Sequence, residues 1–109
     1  MALTISIVKR NVVGAQKCVT ADVTFDNSYP TGGEAFAPSD IDSAESSSSA
    51  FHFLNIGMND ATIADQRVVD YDYTNKKLVV KTALNTEATN ASDQSAVTIR
   101  VQAFYGQAL

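Results

Sequence analysis

The amino-acid sequence predicts an all-β protein, an antiparallel β-sandwich or flattened barrel of about six to eight strands. Apolar residues recur at every second position through most of the chain, which is the periodicity of a strand with one buried face. Turn-forming residues interrupt these runs at short intervals, and no long segment has the spacing of an amphipathic helix. With 109 residues, the chain is predicted to form a single β-sandwich domain over residues 1–109.

The first two strands are predicted to form a hairpin with one buried face. Apolar and polar residues alternate over residues 3–7 and again over residues 19–26, and residues 10–14 form the predicted connection. The second strand is expected to end just before Pro30, which has no backbone N–H for a sheet ladder. The glycines of Gly32-Gly33 can adopt positive φ, so this segment is the clearest predicted turn.

The middle of the chain predicts a loop and one further strand. Residues 34–50 are small, polar and acidic and include a serine run, which indicates an exposed loop with at most one helical turn. Alternation then resumes with Phe51 and Phe53 around His52. Turn-forming residues 57–60 are expected to end this strand.

The C-terminal half predicts a second hairpin and a long last strand. Residues 69–80 alternate on either side of a short turn, in which Asn75 is expected to take the left-handed conformation. Residues 96–105 alternate throughout, so this strand is expected to lie centrally in a sheet. The predicted inward-facing residues are Leu3, Ile5, Ile7, Val19, Val23, Phe25, Phe53, Tyr71, Leu78, Val80, Val97, Ile99 and Val101.

Charge and composition narrow the classes of partner. The formal net charge of −4 argues against a protein that binds the phosphate backbone of nucleic acid. There is no 18-residue apolar run to predict a membrane-spanning helix, and the N-terminal residues do not have the order of a signal peptide. Cys18 is the only cysteine and is interpreted as a small strand side chain in a protein made in a cytoplasm.

Residues that could carry catalysis are few. A nucleophilic pair would need Cys18 and His52 to be adjacent, and nothing in their spacing supports that. One histidine cannot build a zinc site, and the acidic segment 40–45 lacks the glycine and ligand spacing of a calcium loop. We therefore expect no enzyme activity, cofactor, metal or small-molecule substrate.

Aromatic residues near predicted strand ends favour a binding module. Such residues often anchor protein contacts, although each could instead cover the end of the sandwich. The group consists of Tyr29, Phe36, Tyr73, Phe104 and Tyr105.

One part of the sequence resembles a known family. Residues 19–35 followed by 38–41, residues 71–78 and residues 88–101 together make up about two fifths of the chain, and the most specific block runs from Tyr29 to Glu34. These blocks resemble small structural proteins of tailed bacteriophages, including cyanophages and other marine phages. In residues 41–49 the chain departs from that family pattern, so the start of the next strand there is not carried over.

The resemblance implies a capsid decoration, or cement, protein on the outer surface of the virion that bridges subunits of the major capsid protein. A homotrimer on a symmetry axis is the expected assembly. The predicted capsid or subunit contacts are Leu3, Ile5, Tyr29, Pro30 and Phe36. The alternatives are another virion component (a tail, adaptor or head-fibre protein with a binding role) and an intracellular binding protein or small enzyme.

Overall fold

Two antiparallel sheets of four strands each form a β-sandwich, which confirms the predicted all-β class. The structure is a computed structural model that describes residues 3–14, 16–46, 48–58, 67–83 and 86–106. The strands are β1 (Thr4–Val13), β2 (Gln16–Thr24), β3 (Glu34–Ala35), β4 (Phe51–Met58), β5 (Val68–Asp72), β6 (Lys77–Ala83), β7 (Thr86–Glu87) and β8 (Thr98–Tyr105).

The first sheet has the strand order β1-β2-β8-β4, so β8 lies between two strands as its long alternation predicted. The second sheet has the order β3-β6-β5, and β7 also pairs with β6. A single 3₁₀ turn, Pro38–Asp40, lies in the segment predicted to contain at most one helical turn. The short strands β3 and β7 were not predicted, because two residues are too few for a periodic signal.

The first hairpin is longer than predicted. β1 continues to Val13 and pairs with β2 as far as Gln16, so residues 10–13 belong to the strand rather than to a connection. The pairing register shifts between Ile7 and Lys9, and the extra residue is Val8. A bulge reverses the facing of every later side chain, so the alternation of apolar and polar residues is interrupted at that point. For this reason the sequence pattern predicts a strand that ends too early.

A second bulge lies in β4. Phe51 pairs with Tyr105 and Phe53 with Phe104, so His52 is the extra residue and the two phenylalanines point to opposite faces. Phe51 is buried, whereas Phe53 is 54% exposed. The prediction that Phe53 faces the core is therefore wrong, and Leu54 takes the inward position instead.

The turn between β5 and β6 also differs from the prediction. Lys76, not Asn75, has a positive φ, of 58°. The Asp72 carboxylate accepts hydrogen bonds from the backbone N–H groups of Thr74 and Asn75 and from the Asn75 side chain. These bonds stabilise an Asx-type turn over the first loop residues, and the left-handed position falls at the last residue before β6.

One continuous cluster of apolar side chains from both sheets forms the core. Leu3 and Ile5 are only partly buried and pack against its margin. Ile7 pairs with the buried Ala21 and so has the predicted inward facing, but it is 36% exposed and does not belong to the buried core. The predicted residues that the structure places in the core are Val19, Val23, Phe25, Tyr71, Leu78, Val80, Val97, Ile99 and Val101.

Candidate interaction site

Tyr29 belongs to the core rather than to the surface. Its side chain is 1% exposed, and its backbone N–H donates to the Ser92 carbonyl oxygen at 3.0 Å. The hydroxyl donates to Glu87 Oε2 at 2.8 Å and accepts from the Val80 backbone N–H at 3.1 Å. Burial raises the pKa of this phenol, so it remains a neutral donor. These bonds tie the segment after β2 to β6 and β7.

Phe36 is fully buried at the other end of the same segment. Its ring centroid lies 5.1 Å from that of Phe51, and the Tyr71 ring meets it edge-on at 6.5 Å. Its backbone oxygen accepts a 2.6 Å hydrogen bond from the Tyr71 hydroxyl. Both side chains are buried within the folded chain, so this segment would meet a partner through its exposed neighbours. The contact role of Tyr29 and Phe36 stays a prediction. Pro30 is exposed and stays a predicted contact.

A buried acidic pair lies beside this segment. Glu34 on β3 is 3% exposed, and its Oε2 atom and Asp26 Oδ2 are buried without a hydrogen-bond partner. Burial, followed by the charge of Asp26, raises the pKa of Glu34. The sequence pattern does not reveal this pair, because the two-residue strand β3 is too short to show which residue faces Asp26.

β1 presents the largest concentration of exposed apolar side chains. Among the described residues, six large apolar side chains are exposed, and three of them lie on β1: Ile7 at 36%, Val8 at 49% and Val12 at 66%. The predicted contacts Leu3 and Ile5 lie on the same strand region but are half-buried against the core. Because β1 is the end strand of its sheet, one of its edges has no described strand partner.

A groove of about 760 Å³ lies beside the second half of β1. Its lining includes Arg10, Val12 and Tyr105, together with Lys17 and Asp42. The Lys17 ammonium group lies 2.9 Å from Glu45 and 3.4 Å from Asp42, and the Tyr105 hydroxyl donates to Asp42 at 3.0 Å.

The acidic side chains of this groove are held in the charged form. A backbone hydrogen bond from Ala44, then bonds from Tyr105 and Lys17, keep the pKa of Asp42 below its ordinary value. The Lys17 hydrogen bond does the same for Glu45. Residues 40–45, which were predicted to be part of an exposed polar loop, thus contain Asp42, which lines the groove, and Glu45, and both form ion pairs with Lys17.

His52, Cys18 and Arg100 do not belong to the groove. His52 is exposed and its Nδ1 lies 3.0 Å from Gln16 Oε1, and Cys18 is a buried free thiol. The guanidinium group of Arg100 pairs with the carboxylate of Asp22 on the outer sheet face at 2.7 Å and lowers its pKa.

Of the remaining aromatic residues, Tyr105 is buried and Tyr73 is 47% exposed. The Tyr73 hydroxyl accepts from the backbone N–H of Leu54. Phe104 is half-buried, and its ring lies 6.2 Å from that of Phe53 on the outer face of the first sheet.

Within the described ranges, no group of three or more histidine, cysteine, aspartate and glutamate side chains is placed to hold a metal ion. No helix in that part of the chain has the length and apolar character needed to cross a membrane. Comparison with known proteins gave no match to a family model, to a curated protein sequence or to a solved structure.

Proposed function

We propose that this protein is a bacteriophage capsid decoration (cement) protein that binds the outer shell and bridges subunits of the major capsid protein. The observation that carries the proposal is the set of exposed apolar side chains on the open strand β1. Exposed apolar groups that cluster on one element mark a protein–protein contact, because covering them releases bound water. The resemblance of residues 29–34 to small structural proteins of tailed bacteriophages is the reason for proposing a phage capsid as the partner.

The remaining structure supports a building-block role. The segment from Tyr29 to Phe36 is held by hydrogen bonds to two other strands and by a cluster of aromatic rings. A rigid small domain loses little conformational freedom when it binds, so most of its interface burial stabilises the shell. Each bridge between shell subunits adds contacts that must be broken before the shell opens.

The test is quantitative mass spectrometry of purified particles of a phage that encodes this chain, with peptides of the major capsid protein as the internal standard. We expect a copy number comparable to that of the major capsid protein. A copy number in the range of tail or portal components would instead support the alternative, a tail, adaptor or head-fibre protein. Absence from the particles would overturn both virion assignments.

A further inference from the structure

We propose that β1 binds its partner by strand addition, and that the added segment is an extended, acidic and apolar stretch of a second protein. This inference deepens the proposed function and rests on it for the identity of the partner, which would be a segment of the major capsid protein. The chemistry of the added segment follows from three features of β1 and its surroundings.

The first feature is the open edge. β1 spans ten residues and pairs only with β2 among the described strands. Alternate residues of an edge strand direct their backbone N–H and C=O groups away from the sheet, where an extended chain can pair with them. A strand of this length offers several such groups in a row, which gives affinity without a preformed pocket.

The second feature is the placement of apolar side chains around that edge. Val8 and Val12 are 49% and 66% exposed, and Val8 is the bulge residue. Arg10 and Val12 pair with Val19 and Lys17 of β2, so they share the sheet face that borders the groove. An added strand would place alternate side chains over this groove, which can select them by size and charge.

The third feature is the charge of the strand. β1 carries Lys9 and Arg10, and its ten residues, Thr4–Val13, include no aspartate or glutamate. Neither cation takes part in an ion pair within the described residues, a property that they share with Lys77 and Lys81 on β6. Lys9 and Arg10 pair with Thr20 and Val19 in succession, so they lie on opposite faces of the sheet. An added segment with aspartate or glutamate at alternate positions would meet one of these cations, and the cation favours such a segment over a basic one.

The same charges disfavour a second copy of β1 as the occupant. Two copies of β1 paired edge to edge would bring four cations together with no acidic residue between them. Lysine and arginine on an edge strand, together with a bulge, are features that limit pairing between identical edges. The edge is thus selective: it rejects its own copy and accepts an acidic strand.

The experiment uses the full chain and two probes. The first probe is the phage shell prepared without this protein, and binding is measured by co-sedimentation. The second probe is a short peptide that alternates valine and glutamate, compared with one that alternates valine and lysine, and binding is followed by NMR of the backbone amides.

The test variant combines Lys9→Glu with Arg10→Glu, and its control combines Lys77→Glu with Lys81→Glu, which changes the net charge equally on β6. A second pair compares Val12→Ser on β1 with Val68→Ser on β5, because Val68 is 51% exposed. Thermal denaturation verifies that each variant is folded.

We expect the Lys9 and Arg10 double variant to bind the shell about tenfold more weakly, since charge-assisted hydrogen bonds contribute strongly at a contact. We expect its control to bind like the wild type, and Val12→Ser to weaken binding more than Val68→Ser does. The glutamate peptide should shift amide signals of β1, and the lysine peptide should not.

Different outcomes separate the two proposals. If the wild type binds the shell and the β1 variants bind it equally well, strand addition is wrong while the shell function stands. If the wild type does not bind the shell but the glutamate peptide pairs with β1, the shell function fails and the inference on the chemistry of β1 stands. Equal effects of both peptides, or self-association that Val12→Ser abolishes, would overturn the inference.

Discussion

Two buried polar side chains, Tyr29 and Glu34, differ in whether their polar atoms have hydrogen-bond partners. The hydroxyl of Tyr29 satisfies both the Val80 N–H and Glu87, so this buried polar group has two partners. Glu34 is the opposite case: one of its carboxyl oxygens is buried without a partner and lies near the negative charge of Asp26. An unsatisfied buried charge costs free energy, so Glu34 is a weak point in the fold.

The change Glu34→Gln should stabilise the protein at neutral pH by about 1 kcal/mol, because it removes a buried like charge and adds a donor for Asp26. Burial and Asp26 raise the folded-state pKa of Glu34 above its ordinary value of 4.5. The folded protein therefore binds the proton on Glu34 more tightly than the unfolded chain does. The stability gained from this proton is fully present below the ordinary pKa of 4.5 and is lost as the pH rises through the folded-state pKa.

The measurement is urea unfolding of both proteins at about pH 7 and about pH 4. The difference in unfolding free energy between Glu34→Gln and the wild type should be smaller at about pH 4 than at about pH 7, because Glu34 of the wild type becomes protonated. Glu45→Gln is the control, and its expected effect on stability is the opposite of that of Glu34→Gln. Because Lys17 lowers the pKa of Glu45, the ionised carboxylate stabilises the folded state, and this variant should lose stability at neutral pH. If Glu34→Gln is the less stable protein at neutral pH, the carboxylate must be satisfied in the folded state and the interpretation is wrong.

At the scale of secondary-structure elements, the turn after β2 sets how β3 meets β6. The Gly33 N–H donates to the Pro30 carbonyl oxygen at 3.0 Å, and Gly32, the third residue of this turn, has a positive φ of 93°. Gly33 itself has a φ of 108° and passes so close to β6 that a Cβ atom would lie 2.5 Å from the Leu78 carbonyl oxygen. Only glycine fits there without moving the backbone.

Gly33→Ala should therefore cost on the order of 2–4 kcal/mol of folding stability, because it combines a disfavoured φ with a backbone clash. Gly14→Ala is the matched control: Gly14 also has a positive φ, of 61°, but nothing lies within 4 Å of the added Cβ. It should cost only about 1 kcal/mol. The comparison is made by chemical denaturation, and equal losses at the two sites would show that the contact with Leu78 is easily relieved.

At the scale of the whole molecule, the sandwich measures 41 × 26 × 22 Å, and neighbouring apolar side chains are exposed together on two surfaces of the first sheet. One is the edge of β1, and the other is the outer face of the first sheet, where Phe53 and Phe104 lie together. A small domain with a limited core gains stability from symmetric association. Two surfaces would allow one contact to the shell and another between copies.

We therefore expect a homotrimer that forms through the Phe53 surface rather than through β1. Light scattering of the purified protein should give a mass of about 35 kDa, three times the chain mass of 11.6 kDa. Phe53→Ser should shift that mass toward the monomer, and Val12→Ser should leave it unchanged. A monomer in solution, together with isolated single copies on the shell, would contradict the trimer.

Local sequence signals account for the all-β class, the two hairpins, the turn at Pro30 and the central position of β8. Each depends on period-two alternation or on residues whose backbone preferences are intrinsic, such as proline and glycine. The burial of Val97, Ile99 and Val101 follows from alternation alone. The part of the candidate site that could be predicted was correspondingly small: Pro30 as an exposed turn residue, whereas the role of the N-terminal strand as a contact region stays a prediction.

Only the tertiary structure decided which side chains are buried and which are exposed. The bulges at Val8 and His52 reverse the facing of the residues after them, which places Phe53 on the surface, and β1 continues past its bulge to Val13. The burial of Tyr29 and Phe36 depends on distant partners, Val80, Glu87 and Phe51, which no local pattern connects to them. Alternation determines that a strand has two faces, but long-range pairing determines which face is covered and which edge stays open.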